Sequence, residues 1–368
     1  MRDRSVMMAT AAILAAAFLV LSGVGCKGRS EDYSSKDPEY TSSNPDYIFG
    51  AAGSTFVAPL FSRWSSDYEK LHQMRVNYRP IGSGAALREL QQRSLTFAAS
   101  DAPLNDGELK DMPSLIQVPI TAGPVSVIYN LPDVSQPLRF SGRTLAGIYA
   151  GQIKTWQDAA IARENPGVKL PQMPIIVIHR QDGSGTTNIF TSYLSSTSPS
   201  WSIKPGHGLL VDWPTGVGQN GTRGVLQSVK QTAGAVGYVE LNYAKDAGLA
   251  VASIQNKAGE FIAPSPASAA LAIDAFSDAL NKDVRSPIVD PPATAKGAYP
   301  ISGLTYIMIP KQGILPGEYP KFKEFITYCL TDGQNSAETM SYTRLPAPIV
   351  QEGQMLLTQL VDYNDSSK

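Results

Sequence analysis

At 368 residues, with 43% hydrophobic and 8% aromatic residues, the chain carries enough apolar material for one large or two moderate folded domains, and two are expected. Its charged residues, 17% of the total, sum to a formal net charge of −1 with no lysine or arginine run longer than a dipeptide, which excludes the basic stripe of a nucleic-acid binder. With 27 prolines the composition favours a loop-rich α/β chain over a helical bundle.

The chain opens on an export signal. Arg2 and Arg4 form a basic start, residues 7–21 are nearly all apolar, and Gly23-Val24-Gly25 precedes Cys26. The apolar run is too short for a comfortable membrane span. A lone cysteine after such a run resembles the lipidation site of bacterial lipoproteins, in which it receives the lipid and becomes the mature N-terminus. Gly23 stands where leucine is usual there, and ordinary cleavage after small residues is the alternative. Residues 1–25 are thus a signal peptide, and 26–46 a candidate lipid-bearing cysteine and polar tether whose coil spans roughly 25 Å. The one other cysteine, Cys329, sits in a helix-like run and reads as a small buried hydrophobe, not as part of a disulfide.

From Tyr47 the pattern becomes strand, turn, helix, repeated. Tyr47-Ile48-Phe49 predicts a strand, after which Phe56, Leu60, Trp64, Tyr68 and Leu71 recur at helical spacing. Val76-Asn77-Tyr78 predicts a second strand, followed by a helix through Leu87 and Leu90 that ends near Arg93, and residues 96–99 predict a third. A second block has strands at 124–129 and 174–180, then a helix with Ile189, Phe190, Tyr193 and Leu194 on one face. Strands at 235–239 and 304–310 follow, and residues 253–300 read as loops around one helix, 268–280. No internal repeat of fixed period is present. Such alternation favours a parallel-type sheet with covering helices, in which ligands sit beyond the carboxyl ends of strands.

Four polar turns stand at those ends: Ala52-Gly53-Ser54-Thr55-Phe56, Gly82-Ser83-Gly84, Ala99-Ser100-Asp101 and Arg180-Gln181-Asp182-Gly183-Ser184-Gly185-Thr186. Three of them open a predicted helix. Glycine lets backbone amides turn toward one point, Ser and Thr add hydroxyls, and a helix start leaves up to four N–H groups without intrahelical partners. Together they form a candidate anion site. Arg180 offers a planar fork for an oxyanion, with a surface salt bridge as the alternative, and Asp182 is placed both to orient Arg180 and to cap the following turn. A carboxylate at Asp101 repels anions unless the ligand carries a proton to donate, as phosphate does at neutral pH and sulfate does not. Capping the turn at 103–106 is its other reading, and spacing does not separate the two.

Enzyme motifs are missing. The chain has no Gly-x-Ser-x-Gly elbow, no phosphate loop and no His-Glu-x-x-His, and His72, His179 and His207 belong to no ligand pattern, so no catalytic residue, cofactor or metal is expected.

The segments Gly53-Ser54-Thr55-Phe56-Val57-Ala58-Pro59, Ile81-Gly82-Ser83-Gly84, Phe97-Ala98-Ala99-Ser100-Asp101-Ala102-Pro103-Leu104, the turn from Arg180 to Thr186, and Gly234-Ala235-Val236-Gly237-Tyr238-Val239-Glu240 resemble the phosphate-binding proteins of the bacterial high-affinity phosphate ABC transporter. The match runs in order from about Ile48 to Tyr342. The resemblance implies an α/β, two-lobed periplasmic-binding-protein fold of type II, each lobe a mixed sheet flanked by helices, with the ligand in the cleft between lobes. Lobe I would comprise residues 47–121 and 297–368, and lobe II residues 122–296. It further implies that Thr55 and Phe56 contribute amides and a hydroxyl, that Ser83 adds a donor, and that Asp101 accepts the ligand's proton. Arg180 would supply the main charge, held by Asp182, and Ser184, Gly185 and Thr186 a helix-start cradle. Gly84 and Ala85 stand where the family often has Ser and Gly, and Ser54 where it often has Ala or Gly, none of which removes an implied ligand. The implied function is binding of inorganic phosphate outside the cytoplasm and delivery to the membrane permease of a phosphate ABC importer, by a monomer in the periplasm or at the cell surface, lipid-anchored through Cys26. A receptor for sulfate or molybdate, a secreted phosphoesterase and a surface interaction protein are the competing readings.

Overall fold

The computed structural model describes residues 47–72, 74–112, 114–313 and 318–361. The expected signal peptide, Cys26 and the expected tether lie outside them. In chain order its strands are β1 (Tyr47–Gly53), β2 (Met74–Arg79), β3 (Phe97–Ser100), β4 (Leu115–Tyr129), β5 (Arg139–Phe140), β6 (Ile176–Arg180), β7 (Val217–Gln219), β8 (Ala235–Glu240), β9 (Ala250–Val251), β10 (Ser253–Gln255), β11 (Phe261–Ile262) and β12 (Ser302–Pro310). Its helices are α1 (Ala58–His72), α2 (Ser83–Gln91), α3 (Asp106–Asp111), α4 (Gly142–Tyr149), α5 (Ala159–Glu164), α6 (Gly185–Thr197), α7 (Pro199–Ile203), α8 (Gly221–Gln231), α9 (Leu241–Ala247), α10 (Pro266–Ala275), α11 (Ser277–Leu280), α12 (Glu318–Leu330), α13 (Gly333–Thr339) and α14 (Ala347–Leu357).

The strands form a mixed sheet in the order β2-β1-β3-β12-β4-β8-β6-β7, with β9 against β4, and a small sheet β11-β10-β5. β1 runs parallel to β2 and β3, β12 runs antiparallel to β3 and β4, and β6 runs parallel to β7 and β8. β4 joins the two ends: it pairs with β12 from Leu115 to Pro124 and with β8 from Val125 to Tyr129. It is buried almost throughout, so its sequence has no polar alternation. Pro119, which cannot donate to a ladder, sits at an irregularity where the register slips between Thr305 and Tyr306 of β12.

Helices cover the sheet by their apolar faces. In α1 Leu60, Phe61, Trp64 and Tyr68 are buried, and in α6 Ile189, Phe190, Tyr193 and Leu194. Phe56 is buried just ahead of α1.

Four sequence expectations need correction. Leu71 is 70% exposed in the last turn of α1, although Tyr68, one turn earlier, is buried against His72 and Phe325. β4 begins at Leu115, well before residue 124; Pro119, Gly123 and Pro124 hid its first half. The helix of 268–280 starts earlier, with Pro266 in its first turn behind a Ser265–Ser268 capping box, and breaks at Phe276 into α10 and α11. Its neighbourhood also contains β10 and β11, where only loops were expected. α2 ends at Gln91, near Arg93 as expected, and Arg93 takes a left-handed conformation with φ of 56°.

Candidate functional site

Parallel pairing of Ala51–Gly53 with Phe97–Ala99 brings the residues that follow β1 and β3 out of the sheet side by side. Ser54 Oγ donates to Asp101 Oδ2, and Thr305 Oγ1, beside the β12 register slip, donates to Asp101 Oδ1 at 2.7 Å. Asp101 is 2% exposed. Burial pushes its carboxyl up to about 7, against the two hydroxyls that favour its charged form; Glu240, when ionised, raises it further, and the charge of Arg180 opposes the rise. The turn at 103–106 is capped instead by Asn105 at the start of α3.

Three tyrosines fix the loop after β1. Tyr78 OH donates to the Ser54 carbonyl at 2.7 Å, Tyr243 OH to that of Thr55 at 2.9 Å, and Tyr342 OH to that of Phe56 at 2.6 Å. In planar trans peptides, carbonyls drawn one way send the following N–H groups the other way. The Phe56 N–H donates to Ser54 Oγ at 3.0 Å within the loop.

Arg180 ends β6 and is 2% exposed. Its Nε donates to Asp182 Oδ1 at 2.6 Å and its Nη2 to Asp182 Oδ2, the two-pronged contact that a guanidinium makes with a carboxylate. Nη1 donates to Thr55 Oγ1 at 3.2 Å and to Thr222 Oγ1 at 3.5 Å, and those two hydroxyls lie 2.8 Å apart. Burial works against the Arg180 charge, but the bonds and charge of Asp182 outweigh it and hold its pKa above the ordinary value. Asp182 is likewise lowered: burial works upward, and the Arg180 hydrogen bond and charge prevail. Asp182 also accepts from Gly221 N at 3.1 Å, so it braces the start of α8 as well as Arg180.

The starts of α2 and α6 meet beside this pair. Gly84 N donates to the Gly183 carbonyl at 3.0 Å, and Gly185 N to Ser83 Oγ at 3.2 Å. Gly82 has φ of +88°, and a Cβ there would stand 2.7 Å from Asp182 Oδ2, so conformation and space both call for glycine. Ser184 Oγ caps α6 through Thr187 N at 3.2 Å. A 2.7 Å hydrogen bond joins Thr186 Oγ1 to Glu240 Oε1 at the end of β8, and Thr187 Oγ1 lies 2.6 Å from Tyr238 OH, which accepts from Arg180 N at 3.2 Å.

Thr55, Phe56, Ser83, Asp101, Arg180, Asp182, Ser184, Gly185 and Thr186 thus fall in one buried neighbourhood beyond the carboxyl ends of β1, β3 and β6. Several of the expected donors already have partners within the protein: the Phe56 amide bonds to Ser54, the Gly185 amide to Ser83, and the Ser184 hydroxyl caps α6. His179 stays apart, stacked on Trp213 with Nδ1 3.0 Å from the Arg180 carbonyl, and burial lowers its pKa. Cys329 is buried with a free thiol. Among the described residues no three His, Cys, Asp or Glu side chains are grouped to hold a metal.

Sequence reasoning gave no site role to Ser54, Thr222, Thr305, Tyr238 or Glu240. Thr222 had a signal, since Asn220-Gly221-Thr222 opens α8 as the other polar turns open theirs. Glu240 ends a wholly buried strand, an unusual place for a charge. Thr305 lies inside a buried strand and carried no signal.

The strand ends of the mixed sheet converge on Arg180, Asp101, Asp182 and a ring of hydroxyls, and residues 38–332 match the PBP superfamily domain, which sets the class of the fold. Relatives narrow it. The chain is 37% identical to the phosphate-binding protein PstS of Xylella fastidiosa over 89% of this chain and 92% of that one, and 37% identical to PstS of Haemophilus influenzae over 81% and 89%. A high-affinity periplasmic phosphate-binding protein (PfluDING) solved with bound phosphate has the same fold, with a TM-score of 0.67 and 21% identity over 84% of this chain and 93% of that one. A phosphate ABC transporter substrate-binding protein from Clostridium perfringens aligns with a TM-score of 0.57 and 16% identity, over 81% of this chain and 100% of that one. The chain belongs to the PstS family of phosphate-binding proteins.

Proposed function

We propose that the protein binds inorganic phosphate outside the cytoplasm and hands it to the membrane permease of a phosphate ABC importer, without catalysing a reaction. The observation that carries this reading is the buried Arg180, locked by Asp182 and reaching Thr55 at 3.2 Å, with the acceptor Asp101 buried in the same neighbourhood. Arg180, the amides of Phe56 and Gly185 and the hydroxyls of Thr55, Ser83, Ser184 and Thr186 would give a tetrahedral oxyanion its donors, and Asp101 would take the one proton it carries. Charge-assisted hydrogen bonds contribute roughly 1.5–3 kcal/mol each, so affinity comes from donor number and exclusion of water more than from net charge. Sulfate has no proton for Asp101, and an unmatched pair of buried acceptors discriminates by roughly 10⁴-fold.

In this reading residues 47–121 and 297–368 form one lobe and 122–296 the other, with β4 and the segment before β12 crossing between them. Phosphate holds the lobes together, and the closed form is what the permease recognises. Cys26 carries the lipid that anchors the monomer to a membrane. Titration calorimetry of the exported protein, stripped of phosphate, tests the reading: tight one-to-one heat with phosphate and none with sulfate is expected. Silence with phosphate from folded protein, or turnover of a chromogenic phosphate ester, refutes it.

A further inference from the structure

Glu240 is a buried carboxyl for which phosphate binding as set out above has no task. It is 1% exposed at the end of β8 and joins Thr186 Oγ1 through Oε1 at 2.7 Å, whereas its Oε2 has no partner at full hydrogen-bonding geometry among the described residues, the Thr222 hydroxyl acting on the carboxyl only as a weaker influence that lowers its pKa. A hydrogen bond between a hydroxyl and a carboxyl has two polarities. If Glu240 is ionised, Thr186 donates to it and offers a ligand only lone pairs. If Glu240 holds a proton, it donates to Thr186, whose own hydrogen is then free to point at an anion.

Charge decides between them. The ionisable groups facing Glu240 are Asp101 beyond β3, Arg180 on β6 and Tyr342 ahead of α14, with Asp182 and Tyr238 behind Arg180; α8 contributes the uncharged Thr222, and α9 brings Tyr243 onto the Thr55 carbonyl. Arg180 is already matched by Asp182. Asp101 has to be ionised in the loaded site to accept the ligand's proton, so with Glu240 ionised as well negative charge would exceed positive even before the anion is counted, in a region where charges are poorly screened. An unbonded Oε2 is costly on a carboxylate and far less so on a neutral acid.

We infer that Glu240 is protonated in the phosphate-loaded site and acts as a positioning residue, donating to Thr186 Oγ1 and turning the Thr186 hydroxyl hydrogen toward the anion. This rests on the reading of phosphate as the ligand. Burial, the strongest influence on Glu240, raises its pKa, ahead of the hydrogen bond from Thr186 that lowers it, which agrees with the inference.

Infrared spectroscopy of the phosphate-loaded protein at about pH 8, where exposed carboxyls are ionised, reads the proton directly. A protonated-carboxyl C=O band is expected in the unaltered protein, lost in Glu240→Gln and kept in Asp101→Asn. The amide of Glu240→Gln can still donate to Thr186, so calorimetry should find its phosphate affinity within about threefold of the unaltered protein, whereas Glu240→Ala loses about tenfold or more. Phosphate binding by the unaltered protein without the band overturns this inference alone, as does a Glu240→Gln loss equal to that of Glu240→Ala. No phosphate binding at all overturns the reading beneath it, and this inference with it.

Discussion

Gly185 meets Asp101 so closely that a Cβ built on Gly185 would stand 2.6 Å from the Asp101 backbone N and 2.7 Å from the Asp101 Cβ. One residue opens α6 and the other follows β3, and the obstacle is backbone, which cannot swing aside. Gly185→Ala should therefore push these two elements apart while leaving the core beneath each intact. Overpacking of this kind costs about 1–3 kcal/mol, a loss of roughly 5- to 150-fold in phosphate affinity. Calorimetry should find that loss with the melting temperature of the phosphate-free protein nearly unchanged; unaltered affinity would mean that the two residues do not approach in the loaded form.

Arg180→Lys separates charge from geometry. Lysine keeps the positive charge but cannot bond Asp182 with two prongs while also reaching Thr55 and Thr222, as the guanidinium does. Losing two charged hydrogen bonds gives about 3 kcal/mol or more, a hundredfold or greater loss of phosphate binding. Affinity within tenfold of the unaltered protein would show that net charge, not the fork, holds the ligand.

The Asp101 carboxyl gives a pH signature with a definite sign. Its pKa stands at about 7 in the fold against 3.8 for the ordinary group, so as pH rises the unfolded chain releases this proton first. The associated stability is fully present below pH 3.8 and is lost as pH climbs toward 7, on the order of a few kcal/mol at most. Asp101→Asn does not titrate. Urea midpoints of phosphate-free protein should therefore show the unaltered protein losing ground to the variant between these pH limits, and a constant difference would contradict the shift. The same variant should narrow the preference for phosphate over sulfate; an equal loss for both anions would count against Asp101 as the acceptor of the ligand's proton.

Local chemistry made the neighbourhood legible where a turn combined glycine, hydroxyls and a charge at the end of an apolar run. Arg180 through Thr186 displayed all three, whereas the turn at Ser83 offered glycine and a hydroxyl and the turn at Asp101 a hydroxyl and a charge. What stayed hidden depends on contacts between distant segments. Thr305 is one threonine in a buried strand, and only the pairing of β12 with β3 brings it to Asp101. The first half of β4 was hidden because a strand buried on both faces has no alternation, and its prolines resemble breaks until the β12 irregularity accommodates one. Leu71 obeyed the helical period and still missed the core, since the period gives a direction and says nothing about whether the last turn of α1 has a partner to pack against.

Tyr243→Phe tests whether the two proposed lobes are latched. Of the three phenols on the loop after β1, Tyr78 and Tyr342 come from the lobe that holds the loop, and Tyr243, on α9, comes from the other. Its 2.9 Å bond to the Thr55 carbonyl exists only while the lobes are together, so it should stabilise the closed form without touching phosphate. A neutral hydrogen bond contributes about 0.5–1.5 kcal/mol, and because the lobes must open before phosphate leaves but stand open when it arrives, phosphate should dissociate about 2- to 13-fold faster with little change in its rate of binding. Tyr78→Phe is the control: both its partners lie in one lobe, so it should lower the melting temperature more than it speeds release. Stopped-flow chase of bound phosphate decides, and equal dissociation rates for Tyr243→Phe and the unaltered protein would remove the latch.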